Sequence, residues 1–179
     1  MLCRADSDRG GAAARWVILR AMTAPRIRRA DPADDLATVR ILFREYAASL
    51  GFALDFQGFE DELLTLPGEY AEPRGTIVLA EGPAGEVWGV VALRPLEGEA
   101  TCEMKRMYVR PSARRQGLGR VLGEAILAEA RTRGYRTMRL DTIDTMTPAI
   151  TLYESLGFRP IAPYRFNPMP GALFFEAEI

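Results

Sequence analysis

Apolar residues recur along this chain in two rhythms, one of three to four positions and one of short, nearly unbroken runs. Leu36, Val39, Ile41, Leu42, Phe43 and Tyr46 keep the spacing of one helix face, with Asp31-Pro32 as start signal and Gly51 as stop. A second short helix is expected over Phe56–Leu66, ended by Pro67-Gly68. Thr76–Glu81 and Glu86–Arg94 are β-branched runs around Gly82-Pro83-Ala84-Gly85, which predicts a hairpin. Glu99–Arg110 reads as the next strand, ended at Pro111. Leu118, Val121, Leu122, Ala125, Ile126 and Ala130 return to the helical period and stop at Gly134. Tyr135–Thr142 is a further strand, Thr147–Leu156 a helix closed by Gly157, and Phe158–Ile161 and Ala172–Ile179 are the last strands, after a short strand at Ile27–Ala30 that opens the series.

This order predicts one α/β domain over residues 25–179, a mixed α+β sheet built on an antiparallel meander with a strand–helix–strand crossover. Residues 1–24 lack either period and are expected to be a disordered extension, with Met22 as an alternative start. The longest clean apolar run, Val87–Leu93, is far short of the ~20 residues needed to span a bilayer, so no membrane contact is expected.

Composition narrows the chemistry. The 179 residues include no histidine, which removes Ser-His and Cys-His nucleophiles and histidine-based zinc sites, and no metal is expected. Two cysteines, Cys3 and Cys102, make no disulfide framework, which points to a reducing cytoplasm. The net charge of −1 hides segregation: residues 45–99 carry eleven acidic side chains against Arg74 and Arg94, whereas residues 102–139 carry ten basic ones against Glu103, Glu124 and Glu129. The basic block suggests an anionic ligand and the acidic block a cationic partner; the alternative for each is solvated surface.

The most informative stretch is Val109-Arg110-Pro111-Ser112-Ala113-Arg114-Arg115-Gln116-Gly117-Leu118-Gly119-Arg120. A strand ends, a basic loop follows, and two glycines open a helix whose first N–H groups have no partner within the helix. Such a start favours phosphate, and Arg114, Arg115 and Arg120 add charged donors. No Gly-Lys-Ser/Thr follows, so this is not a P-loop, and no third glycine makes it a dinucleotide fingerprint. A basic turn or a nucleic-acid patch is the other reading of the loop alone.

Arg114-x-x-Gly117-x-Gly119, together with Ala149-Ile150-x-Leu152-Tyr153-x-x-x-Gly157-Phe158, resembles the two motifs of the GNAT acyltransferase superfamily, over a span from about Ile27 to Ile179. Where that family often has an asparagine seven residues before the tyrosine, this chain has Met146. The resemblance implies a GNAT-like fold and direct transfer of acetyl from acetyl-CoA to an amine in a ternary complex. It also implies cofactor contacts from the strand segment Met107-Tyr108-Val109, from Arg114, Arg115, Gln116, Gly117, Leu118, Gly119 and Arg120, and from Tyr153.

Two residues are expected to be catalytic. Glu103 is the candidate base, placed by strict alternation on one strand face with Lys105, Met107 and Val109; its alternative is a surface pair with Lys105. Tyr153 is the candidate acid for the leaving thiolate; its alternative is packing in a stripe with Ile150 and Leu156. Asp141 and Asp144 could touch the acceptor or serve the turn before Thr147-Pro148, and Cys102 is expected to be a buried small hydrophobe. Tyr46, Phe56, Tyr164, Asn167 and Pro168 are candidates for the acceptor rim. The acceptor is expected to be a small-molecule or peptide amine of cationic character, and a homodimer stays open. A nucleic-acid module using residues 105–139 and a non-catalytic acyl-CoA sensor are the competing functions.

Overall fold

The computed structural model describes residues 24–52, 54, 58–96, 98 and 100–179. The expected extension, Phe56 and Cys3 lie outside them. The elements are β1 (Arg26–Arg29), α1 (Leu36–Leu50), α2 (Phe59–Thr65), β2 (Thr76–Glu81), β3 (Val87–Pro95), β4 (Thr101–Val109), α3 (Leu118–Thr132), β5 (Thr137–Ile143), α4 (Thr147–Ser155), β6 (Arg159–Ile161) and β7 (Ala172–Glu178). Seven strands form one sheet in the order β1-β2-β3-β4-β5-β7-β6. Neighbours are antiparallel except β4 and β5, which run parallel and are joined through α3, the expected crossover.

The central strands are apolar at almost every position because both faces of the sheet are covered. Val78, Ala80, Val91 and Leu93 pack with Leu118, Leu122 and Ile126 of α3, whereas the alternating Ile77, Leu79, Val90 and Ala92 pack with Val39, Leu42 and Phe43 of α1 and Leu63 of α2. Near-continuous burial of this kind removes the polar alternation of a one-sided sheet.

The first helix starts later than its sequence signal. Helix α1 begins at Leu36 instead of just after Asp31-Pro32. Asp31 accepts the Ala33 amide in a turn, while the Asp35 carboxylate accepts the Asp31 amide and two Arg28 bonds, so residues 31–35 are held by side-chain contacts before the helix begins.

Strand β4 departs from strict alternation. Ala92 faces Lys105 but Val90 faces Tyr108, so three steps on β4 match two on β3. The extra residue is Arg106, at a φ of 56°. This is a β-bulge, and it places side chains after it on the opposite face from the one alternation predicts. Cys102, Met104, Met107 and Val109 therefore share the α3 core, while Tyr108 packs in the α1 core and Arg106 lies over the Tyr46 and Phe59 rings. Glu103 and Lys105 do not share a face with Met107 and Val109, contrary to the expectation from period-2 spacing.

Candidate active site

The parallel ladder between β4 and β5 covers Thr101–Glu103 against Thr137–Arg139 and goes no further. Beyond it the strands part, and a cleft opens between residues 104–107 of β4 and 140–143 of β5. Its lining includes Tyr46 of α1, Lys105 and Met107 of β4, Asp141 of β5, Tyr153 of α4 and Asn167 of the β6–β7 loop. Tyr46, Asn167 and Asp141, three of the acceptor-side candidates, are thus in the cleft lining. Asp144 is not; it packs on Gly171, whose carbonyl accepts its amide.

Tyr153 is 8% exposed, and its ring meets Phe158 edge-on at 6.0 Å between centroids. Its hydroxyl makes no hydrogen bond among the described residues. Burial, with the nearby Tyr46 and Asp141, pushes its pKa well up, so the phenol keeps its proton throughout the working range. Met146, standing where the GNAT pattern often has asparagine, precedes α4 and lines the cleft with its thioether.

The basic loop runs through a single 3-10 turn at Pro111–Ala113 and then two left-handed residues, Arg115 (φ 63°) and Gly117 (φ 77°), before α3. At Gly117 nothing lies within 4 Å of where a Cβ would be; the glycine is needed for its backbone angle. Gly119 has a different use: a Cβ there would stand 3.1 Å from Leu152 of α4, so its absence lets α3 and α4 close up. Arg120 ties the same two helices through Ser155 at 2.8 Å. The open N–H groups at the start of α3 are thereby held beside the helix that carries Tyr153. Arg114 Nε donates to the Val109 carbonyl at 3.0 Å, and its guanidinium lies 5.9 Å from the Tyr108 ring centroid.

Glu103 lies outside the cleft lining and is wholly buried, at 0% exposure. Arg94 Nε and the Tyr164 hydroxyl each donate to it at 2.7 Å, and Arg165 donates at 3.0 Å. Burial pushes its carboxyl upward, but Lys105, Arg94, Arg165 and the Tyr164 hydroxyl outweigh that and hold it below the ordinary carboxylate range. A carboxylate engaged by three donors is a poor proton acceptor, for the reason already present in the surface-pair alternative. Of the two residues expected to be catalytic, the fold brings Tyr153 to the cleft and sets Glu103 behind it.

The charge blocks pair with each other and with residues outside them. Glu45 meets Arg110, Glu62 meets Arg106, Glu69 meets Arg94, Glu72 meets Arg133 and Glu81 meets Arg28. These five of the eleven acidic residues of the 45–99 stretch are therefore paired in place. Arg165, which no sequence motif marks, joins Glu103 to Asp141: its Nη2 lies 3.4 Å from the Asp141 carboxylate. No group of three or more metal-ligating side chains is found among the described residues, and no helix among them is long and apolar enough to cross a membrane.

The sequence pattern of the Acetyltransferase (GNAT) family matches residues 39–158. The chain belongs to that family. This GNAT acetyltransferase is 39% identical over 146 residues to an uncharacterized N-acetyltransferase of Schizosaccharomyces pombe, a match covering 82% of this chain and 90% of that protein. It is 34% identical over 109 residues to human N-acetylaspartate synthetase, covering 61% of this chain but 36% of the synthetase. Among solved structures, the Salmonella typhimurium protein yncA, determined with its cofactor acetyl-CoA, superposes with a TM-score of 0.62 at 25% identity, over 87% of this chain and 94% of that one. The GNAT fold expected from the two motifs is the fold observed.

Proposed function

We propose that this acetyltransferase moves the acetyl group of acetyl-CoA directly to a primary amine held in the β4–β5 cleft, with both substrates bound at once. The observation that carries this reading is the splay itself. It opens a cleft lined by Met107 and Tyr153, and the start of α3 lies next to the helix that carries Tyr153. The pyrophosphate of coenzyme A would lie on residues 114–120, where open amides and arginines favour phosphate. Tyr153 would protonate the departing thiolate. Among the described residues direct transfer suits the nucleophiles present, because their one cysteine, Cys102, is buried and its thiol is pushed up to about 12 by burial and the Glu103 charge.

The acceptor is cationic at its reacting end, as a primary ammonium; the paired carboxylates of residues 45–99 give no reason to require further positive charge. α-Amino acids, aspartate first, are the acceptors to screen before others, because a related protein bears the name N-acetylaspartate synthetase. The test is release of free thiol from acetyl-CoA with a panel of amines. Acetyl-CoA binding without thiol release for any amine would leave the sensor reading in its place, and loss of both would remove the cofactor as well.

Arg114→Ala is expected to weaken acetyl-CoA binding by about 1–2 kcal/mol, roughly 5- to 30-fold, by removing one charged donor from the loop. Calorimetric titration measures it. An unchanged affinity would take the pyrophosphate off Arg114.

A further inference from the structure

Lys105 differs from the other cations of the chain in kind and in place. Of 23 basic residues it is the one lysine; all the others are arginine. A guanidinium stays charged at every working pH, whereas an amine can give up its proton. The one cation able to do so lies at the cleft, in the lining with Tyr153 and Met107, and its Nζ reaches across the splay to within 3.4 Å of Asp141 Oδ1. Lys105 alternates with Met104, which packs on α3, and the bulge at Arg106 turns Met107 and Val109 onto that α3 face and away from Lys105.

We propose that the Lys105 amine is the general base that takes the proton of the acceptor ammonium, with Asp141 as the residue that positions it. The inference rests on the cleft being the site of acetyl transfer. In the step, one N–H proton of the ammonium passes to neutral Nζ, and the freed lone pair forms a C–N bond to the thioester carbonyl. As the C–S bond breaks, the sulfur takes a proton from Tyr153, and the remaining extra proton on nitrogen makes good that loss. The proton on Lys105 then returns to solvent, so each turnover releases one.

The surroundings suit this. Facing Lys105 are Glu103 and Arg106 on β4, Asp141 on β5, Arg165 on the β6–β7 loop, Glu62 on α2, Tyr46 on α1 and Tyr153 on α4. Burial is the largest influence and lowers the amine's pKa. Glu103 and Asp141 raise it, Arg106 and Arg165 lower it, and the result is about 8. A base near the operating pH combines a useful neutral fraction with enough basicity to accept a proton.

A single lysine gives a single side-chain signal, so the full-length protein labelled with ε-13C lysine reports this amine directly. In the protein without acetyl-CoA its midpoint is expected near 8, and lower in Asp141→Asn, which removes an opposing charge. A midpoint at the ordinary ~10.4 would overturn the proposal. The kinetic arm compares Lys105→Arg and Lys105→Met with the parent, using ethylamine and its weakly basic trifluoro analogue as probe acceptors. With ethylamine, kcat should fall by about 10²- to 10⁴-fold while acetyl-CoA affinity stays within about threefold. With the trifluoro amine, already neutral, the deficit should shrink to under tenfold. Equal deficits for the two amines, or full activity in Lys105→Arg, would reduce Lys105 to packing or charge and overturn the inference alone. A parent protein that releases no thiol with any amine overturns the transfer reading and this inference with it.

Discussion

Glu103→Ala is expected to lower the free energy of unfolding by about 3–5 kcal/mol, the usual loss when one partner of a buried charge cluster is removed. Arg94, Arg165 and Tyr164 would each lose the oxygen they donate to, inside a region with little water to replace it. Glu103→Gln keeps the shape and one acceptor oxygen and should cost less, about 1–3 kcal/mol. The pH dependence has a definite sign. Because the folded carboxyl is held below its unfolded value, its stabilisation is present above about pH 4.5 and is lost as pH falls through the folded midpoint. Denaturant melts of parent and Glu103→Gln should therefore converge in acid. If the two are equally stable at pH 7 and the glutamine variant loses only turnover, Glu103 is the base after all and the assignment to Lys105 falls.

Tyr153→Phe should reduce kcat by about 10²-fold or more, since it removes the phenol proton proposed for the leaving thiolate, one that burial keeps in place throughout the working range. Acetyl-CoA affinity should hold within about threefold, because the ring and its edge contact with Phe158 remain. Stability should change little for the same reason. A matched fall in affinity would make the hydroxyl a binding contact, and no change in either would leave only the ring's packing with Phe158.

Where local spacing determines an element, the sequence was readable. The hairpin at Gly82–Gly85, the crossover helix from Leu118 and the Tyr153 helix all stand close to where their periods put them. The site was less readable, for three physical reasons. The bulge at Arg106 demands a left-handed angle from a residue that rarely adopts it, and nothing in Met104-Lys105-Arg106-Met107 announces this. The ion pairs join positions far apart in the chain, such as Glu45 with Arg110 and Glu62 with Arg106, so runs of like charge looked like fields when they are partners. Gly119 sits in a binding motif yet serves helix packing, a distinction that depends on Leu152 coming close in space. Lys105 did leave a mark in the composition, as the lone amine side chain among arginines, and that mark was legible without any structure.

The strand order has one further consequence. Among the described residues the sheet ends at β1 on one side and at β6 on the other, and these are its shortest strands, of four and three residues. Along β1, Arg26, Arg28 and Arg29 fill three of the four positions, and Arg28 and Arg29 are held in ion pairs with Asp35, Glu81, Glu72 and Glu129, so charged side chains crowd a short edge. In β6, Pro160 has no amide hydrogen to offer to an added strand. Both borders thus discourage backbone pairing between molecules, which guards against the open-ended stacking that leads to fibrils. Any pair of these chains would have to meet through side-chain surfaces instead of a continued sheet.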